Sequence, residues 1–264
     1  MRRVYLSALL SLLLTASPAL ADAPLISGPL LEKYYEGIAY FKGGDLDKAL
    51  RLFREVVMSA PRDPLAHLSL AAALQQHGEL EDAIAEYKRA IALRPYDAFA
   101  RESLGLLFLS QGNLKGAIDQ YSQAIKLRPD VPLFHLNLGI ALRIDGQYDL
   151  ATQELNLVLI AYPDHLKARS HLGAAYQDML EYQEAINQYD KILTYEPDNF
   201  SIQYNMGNCY LHLKKFDEAI TAFKRASEID GSVPKTHALL ASALFQKGNY
   251  AQAAGELEKA LKLK

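Results

Sequence analysis

The chain has 264 residues, half of them hydrophobic, and a formal charge of −3 at pH 7. It is long enough to bury a sizeable core. Its charges are mixed, with no Lys/Arg block of five or more, which argues against nucleic acid or an anionic membrane as the main partner.

Residues 1–21 read MRRVYLSALLSLLLTASPALA. Arg2 and Arg3 form a positive start, an uncharged apolar run follows, and Ala19-Leu20-Ala21 supplies a small-x-small site. This pattern predicts a cleavable bacterial signal peptide, cut after Ala21, and a periplasmic or secreted mature chain. The apolar run is short for a bilayer span, so contact with the membrane is expected only through this segment, if it is kept. Loss of Arg2 and Arg3 takes the charge from −3 to about −5. Residues 22–29 (DAPLISGP) form a short non-helical leader.

Seven alanines then recur every 34 residues without insertion: Ala49, Ala83, Ala117, Ala151, Ala185, Ala219 and Ala253. Twelve residues upstream of each lies a second small residue: Gly37, Ala71, Gly105, Gly139, Gly173, Gly207 and Ala241. An apolar residue follows each alanine by four, from Phe53 through Tyr87, Tyr121, Leu155, Tyr189 and Phe223 to Leu257. A further small or branched one comes three later. Positions i, i+4 and i+7 form one stripe of an α-helix. Two small residues at fixed phase let paired helices approach closely. Gly44, Gly78, Gly112, Gly146 and Gly248 mark turns between the helices, and Pro61, Pro95, Pro129, Pro163 and Pro197 close the units. Such a period indicates a helix-turn-helix solenoid with no internal domain boundary. Repeats fall at 30–63, 64–97, 98–131, 132–165, 166–199, 200–233 and 234–264.

The pattern resembles the tetratricopeptide repeat (TPR) family over residues 30–264, with Leu104-Gly105, Leu138-Gly139, Leu172-Gly173 and Met206-Gly207 fitting its first signature. The resemblance implies an all-α, right-handed superhelical solenoid of seven units. The family's frequent tryptophan is absent; Lys33, His67, Arg101, His135, Arg169, Gln203 and His237 fill that column. Gly231 replaces the closing proline of repeat six.

No Gly-rich phosphate loop, HExxH, GxSxG or CxxC occurs, so no catalytic residue, cofactor site or metal site is expected, and the chain is read as a non-enzyme. The histidines follow the repeat phase and are assigned packing or surface roles, and Cys209 is expected to be a buried small apolar residue. Partners are other proteins or peptide segments.

In the family, first-helix offsets 2, 5, 9 and 12 tend to face a concave groove. Carried over, these implicate Tyr34, Ile38, Phe41, Leu68, Gln75, Phe99, Leu106, Leu109, Leu136, Ile140 and Arg143 in an apolar first half. The second half is more polar, with Gln177, Asn208 and Lys235 beside Tyr204, Leu211 and Phe245. Asn137 and Asn205 occupy an offset where some relatives hold peptide backbone. Exposed apolar surface marks binding sites, so a partner segment is expected in repeats one to four. The competing expectation is that the superhelix, or Leu25 and Ile26 of the leader, covers these side chains. No complete Lys/Asn carboxylate clamp is present. The last helix carries Ala254, Leu257 and Leu261, for which self-association into a homo-oligomer is the expectation. Two functions follow: an interaction scaffold of the bacterial cell envelope, in assembly or secretion machinery, or a structural protein associating through its last helix.

Overall fold

A computed structural model describes residues 26–263. The expected signal segment 1–21, its expected cleavage site and Leu25 lie outside that range. Among the described residues there are fourteen α-helices and no strands. They are α1 (Pro29–Gly43), α2 (Leu46–Ser59), α3 (Pro64–His77), α4 (Leu80–Leu93), α5 (Ala98–Ser110), α6 (Leu114–Leu127), α7 (Pro132–Ile144), α8 (Tyr148–Ala161), α9 (Leu166–Asp178), α10 (Tyr182–Leu193), α11 (Phe200–His212), α12 (Phe216–Ile229), α13 (Pro234–Gln246) and α14 (Tyr250–Lys262). The architecture is an all-α helical repeat, two helices to each 34-residue unit.

The small-residue ladders account for how closely the helices of a pair pack. A Cβ added at Gly105 would lie 2.7 Å from the Tyr121 ring, and one at Gly173 2.6 Å from the Tyr189 ring. In the five repeats with glycine at this place, the bulky residue four after the ladder alanine packs on bare backbone of the partner helix. Ala49, Ala83, Ala117, Ala151, Ala185, Ala219 and Ala253 are all buried beneath that contact. Aspartates start several helices: Asp63 accepts from the Leu65 and Ala66 amides, and Asp97 from those of Phe99 and Ala100.

The turn between helices holds one residue in the left-handed region. Glycine fills it in five repeats, Gly44 to Gly248. Repeats five and six keep the conformation without glycine: Leu180 has φ 64° and Lys214 φ 58°. Close packing of the pair dictates the turn, and the side chain bears the strain.

The column that carries tryptophan in the family has a different role here. From repeat two onward its polar side chain reaches the backbone carbonyl six residues earlier. His67 Nε2 meets Pro61 O at 3.0 Å, Arg101 meets Pro95 O at 3.0 Å, His135 meets Pro129 O at 3.0 Å and Gln203 meets Pro197 O at 3.3 Å. Arg169 bonds Pro163 O in the same way. His237 meets Gly231 O at 3.1 Å, so the contact survives loss of the closing proline. Such donors satisfy the carbonyl between units, which the helix ladder cannot do. His67 also reaches Glu86 (2.5 Å) and His237 reaches Glu256 (2.7 Å), each on the second helix of its own repeat. Among the described residues no group of three His, Cys, Asp or Glu is placed to hold a metal ion.

The unbroken repeat period runs through a midpoint at which the close contacts of the chain divide. The chain separates into two compact units, Met1–Asn137 and Leu138–Lys264, with the division inside α7. A solenoid repeat touches only its neighbours, so no contact runs the length of the array to prevent a midpoint division.

Candidate partner interface

In the first unit, most of the expected apolar groove is core. Tyr34, Ile38, Phe41, Leu68 and Leu136 are each less than a tenth exposed. Ile26 of the leader, only 3% exposed, belongs to the same buried cluster as Tyr34, Ile38, Phe41 and Leu68. Part of the apolar excess that suggested a binding groove is thus taken up by internal packing, and these five residues, expected as contacts, lie in the core. Phe99, Leu106 and Leu109 remain half-buried, with Phe99 edge-on to the buried Phe134 ring at 5.2 Å. Gln75 accepts from the Tyr87 hydroxyl at 3.0 Å.

Asn137 is also corrected. It is buried, and its Nδ2 donates to Glu102 Oε1 at 2.9 Å, so it holds a neighbouring repeat rather than a partner's backbone. The same spacing of 35 residues, one repeat plus one, joins Tyr34 to Ser69 at 2.9 Å. These bonds link successive first helices. The Glu102 Oε2 atom has no partner among the described residues, and burial pushes the carboxyl up to about 7.

In the second unit the first helices keep a more accessible polar and aromatic face. Arg143 is half-buried and donates to Asp178 at 2.7 Å, again 35 residues on. Ile140, Asn205 and Asn208 are half-buried. Gln177 accepts from Tyr189 at 3.1 Å. Asn208 Nδ2 donates to its own helix at Tyr204 O (3.2 Å), which directs the amide while leaving Oδ1 to accept. Lys235 Nζ stands 5.9 Å from the centre of the Tyr204 ring. Phe245 is exposed and meets the exposed Tyr250 ring edge-on at 5.1 Å. His171 is largely buried, and desolvation, with Arg143 and Lys167 adding to it, holds its imidazole down to about 4. Cys209 is buried and burial pushes its thiol up to about 12, which leaves it unreactive at neutral pH.

The last repeat holds a mainly apolar cleft of about 500 Å³ between α13 and α14, lined by Val233, Pro234, Lys235, Ala238, Leu257, Ala260 and Leu261. Ala254, Leu257 and Leu261 are exposed on α14. One surface that the sequence reading passed over is the outward face of α8, where Leu150, Leu157 and Ile160 are exposed.

Models of the tetratricopeptide repeat match residues 34–98 and 198–264, and a TPR repeat model matches 105–143. This chain is a tetratricopeptide repeat protein. No curated protein matches it significantly. Solved structures share the fold. A tetratricopeptide repeat protein from Parabacteroides merdae is 15% identical and aligns over 89% of this chain and 93% of its own, with a TM-score of 0.70. MamA AMB-1 is 27% identical over 63% of this chain and 91% of its own, with a TM-score of 0.57. YrrB, described as a TPR protein with an unusual peptide-binding site, is 23% identical over 74% of this chain and 97% of its own, with a TM-score of 0.62. The TPR fold is a protein-interaction scaffold, and no enzyme family is indicated.

Proposed function

We propose that the chain is an exported, non-catalytic scaffold of the bacterial cell envelope, serving assembly or secretion machinery. It holds a partner polypeptide segment on the first-helix face of its second unit. One observation carries the choice of face: Tyr204, Asn208, Lys235 and Phe245 present rings, an amide acceptor and a cation that remain accessible, whereas Tyr34, Ile38, Phe41 and Leu68 of the first unit's α1 and α3 are packed away. Amide and aromatic groups on rigid helices suit an extended backbone with mixed side chains. Export is supported by the composition of residues 1–21. N-terminal sequencing of the mature protein should begin at Asp22; a chain beginning at Met1 and recovered from the cytoplasmic fraction would remove the envelope reading. For the site, a photocrosslinking residue at Asn208 or Phe245 should give adducts with a polypeptide in living cells, and one at exposed Met58 should not. Adducts at Met58 alone would place binding elsewhere.

The cleft on α13 and α14 favours a second reading, self-association through the last repeat. Leu257 and Leu261 would supply its apolar contacts. Concentration-dependent sedimentation that is abolished by Leu257→Gln with Leu261→Gln would favour it; a monomer at high concentration would exclude it.

A further inference from the structure

The second helices of the repeats provide an internal control for outward-facing surface. Each has the same 34-residue phase, so equivalent positions can be compared within one chain. At the place of Leu157 the other repeats carry Glu55, Arg89, Gln123, Lys191, Arg225 and Lys259, all polar or charged. At the place of Leu150, four others carry a charge: Lys48, Asp82, Glu184 and Glu218. Ile160 corresponds to Lys126, Glu228 and Lys262 in three of them. Helix α8 departs from this rule at Leu150 and Leu157, and at Ile160 it joins Met58, Ala92 and Thr194 in lacking the charge. Leu150 and Leu157 are 47% and 48% exposed, Ile160 77% and Tyr162, just beyond the helix end, 55%. Residues 150, 157 and 160 are spaced at i, i+7 and i+10, which is one stripe of a helix. The fourteen residues of α8 give the stripe a length of about 20 Å.

No packing need within the repeat explains these side chains. The inward stripe of α8 is complete without them: Ala151, Leu155 and Val158 are buried on the opposite face. Exposed leucine and isoleucine side chains at charged-residue positions add apolar surface to the solvated state, and a lone exposed apolar residue needs no explanation whereas an aligned set does.

The surroundings specify what fits. Between Arg143 and Lys167 there is no Lys or Arg, but there are four acids, Asp145, Asp149, Glu154 and Asp164. Asp145, Asp149 and Asp164 are exposed. The four apolar side chains expose on the order of 400 Å², taking about 200 Å² for a fully exposed large apolar side chain. That is about half of the roughly 800 Å² per partner of a stable protein–protein interface. Two copies meeting on this stripe would also bring like charges together, which opposes their association. One amphipathic helix has the matching width and length, and its own flanks can carry the opposite charge.

We infer that the outward face of α8 is a second docking site, for an amphipathic helix of a partner protein whose apolar stripe is flanked by Lys or Arg. The site is separate from the first-helix face of the second unit, so the chain can hold two polypeptides at once. Its test does not depend on the first-helix site. The probe is a labelled 18-residue Leu/Lys amphipathic helix, compared by fluorescence anisotropy with a Leu/Glu helix of the same apolar face, both added to the full mature chain in about 150 mM salt. The Leu/Lys helix should bind and the Leu/Glu helix should not. Leu157→Gln with Ile160→Gln should weaken binding at least tenfold, and Asp145→Asn with Asp149→Asn several-fold, while Met58→Gln on α2 should leave it unchanged. Circular dichroism of each variant should match the parent, since every altered side chain is exposed. Equal binding of both helices, indifference to the Leu157/Ile160 variant, or equal loss in the Met58 variant would overturn the inference. So would a sedimenting dimer of the chain that the Leu157/Ile160 variant dissociates, which would assign the stripe to a second copy.

Discussion

Replacing Glu102 by glutamine should stabilise the first unit by about 3 kcal/mol at pH 8 and by less than about 1 kcal/mol at pH 5. The carboxyl is 1% exposed, accepts one bond from Asn137 and leaves Oε2 without a partner. Its folded value is about 7, against 4.5 for an unperturbed group. The folded state therefore binds this proton more tightly than the unfolded chain does. Stability is full below pH 4.5, falls as pH rises between 4.5 and 7, and stays at the lower level above 7. At about 1.4 kcal/mol for each pH unit between the two values, the ionised form costs about 3 kcal/mol. Glutamine keeps the acceptor for Asn137 and carries no charge, so it abolishes the dependence. Urea denaturation of parent and variant from pH 5 to 8 measures this, with hydrogen exchange in α5 as the local reading, because repeat arrays need not unfold in one step. The difference between the two proteins should grow from just under about 1 kcal/mol at pH 5 to about 3 kcal/mol at pH 8. Parallel curves across the range would refute the reasoning, since a charge that costs nothing cannot be desolvated.

His171 should give the second unit the opposite response. Its folded value lies below that of a free imidazole, so its contribution is complete above pH 6.5 and is lost as pH falls through 4. Hydrogen-exchange protection, taken relative to the intrinsic rate at each pH, should fall in α9 on acidification while it rises in α5; the same direction in both would contradict the two assignments. Leu180→Gly and Lys214→Gly should each stabilise the protein by about 1 kcal/mol by relieving left-handed backbone, measured by chemical denaturation; a loss of stability in both would show that these turns are not strained. Gly173→Ala should destabilise by about 1 kcal/mol, because pressing on the Tyr189 ring costs about 1–3 kcal/mol against a helix-propensity gain near 1 kcal/mol. A more stable variant would show that the ring can move aside.

The fold was legible because its determinants are local and repeated. Each ladder glycine met the bulky residue expected opposite it, and each turn adopted the left-handed conformation even where Leu180 and Lys214 replaced glycine. The groove was less legible. An offset taken from a family says which way a first helix points, but not how deeply its neighbours cover it. Tyr34, Ile38, Phe41 and Leu68 were covered by adjacent helices and by Ile26, a leader residue with no place in the repeat pattern. Asn137 looked free because its partner, Glu102, lies 35 residues away and carries no motif. The tryptophan column explained itself only in three dimensions, where Pro61 O and its equivalents come within reach of His67 and its counterparts. The α8 stripe, by contrast, was present in the sequence. Aligning the outward column of the second helices would have shown Leu157 among Glu55, Arg89, Gln123, Lys191, Arg225 and Lys259.

The scaffold reading rests most directly on which surface a bound polypeptide covers. Hydrogen exchange should be compared between the mature chain alone and the chain purified with its crosslinked partner. Protection should appear in α11 and α13, around Asn208 and Phe245, with α1 and α3 unchanged. Protection confined to α1 and α3 would return binding to the apolar residues of the first unit and contradict the account.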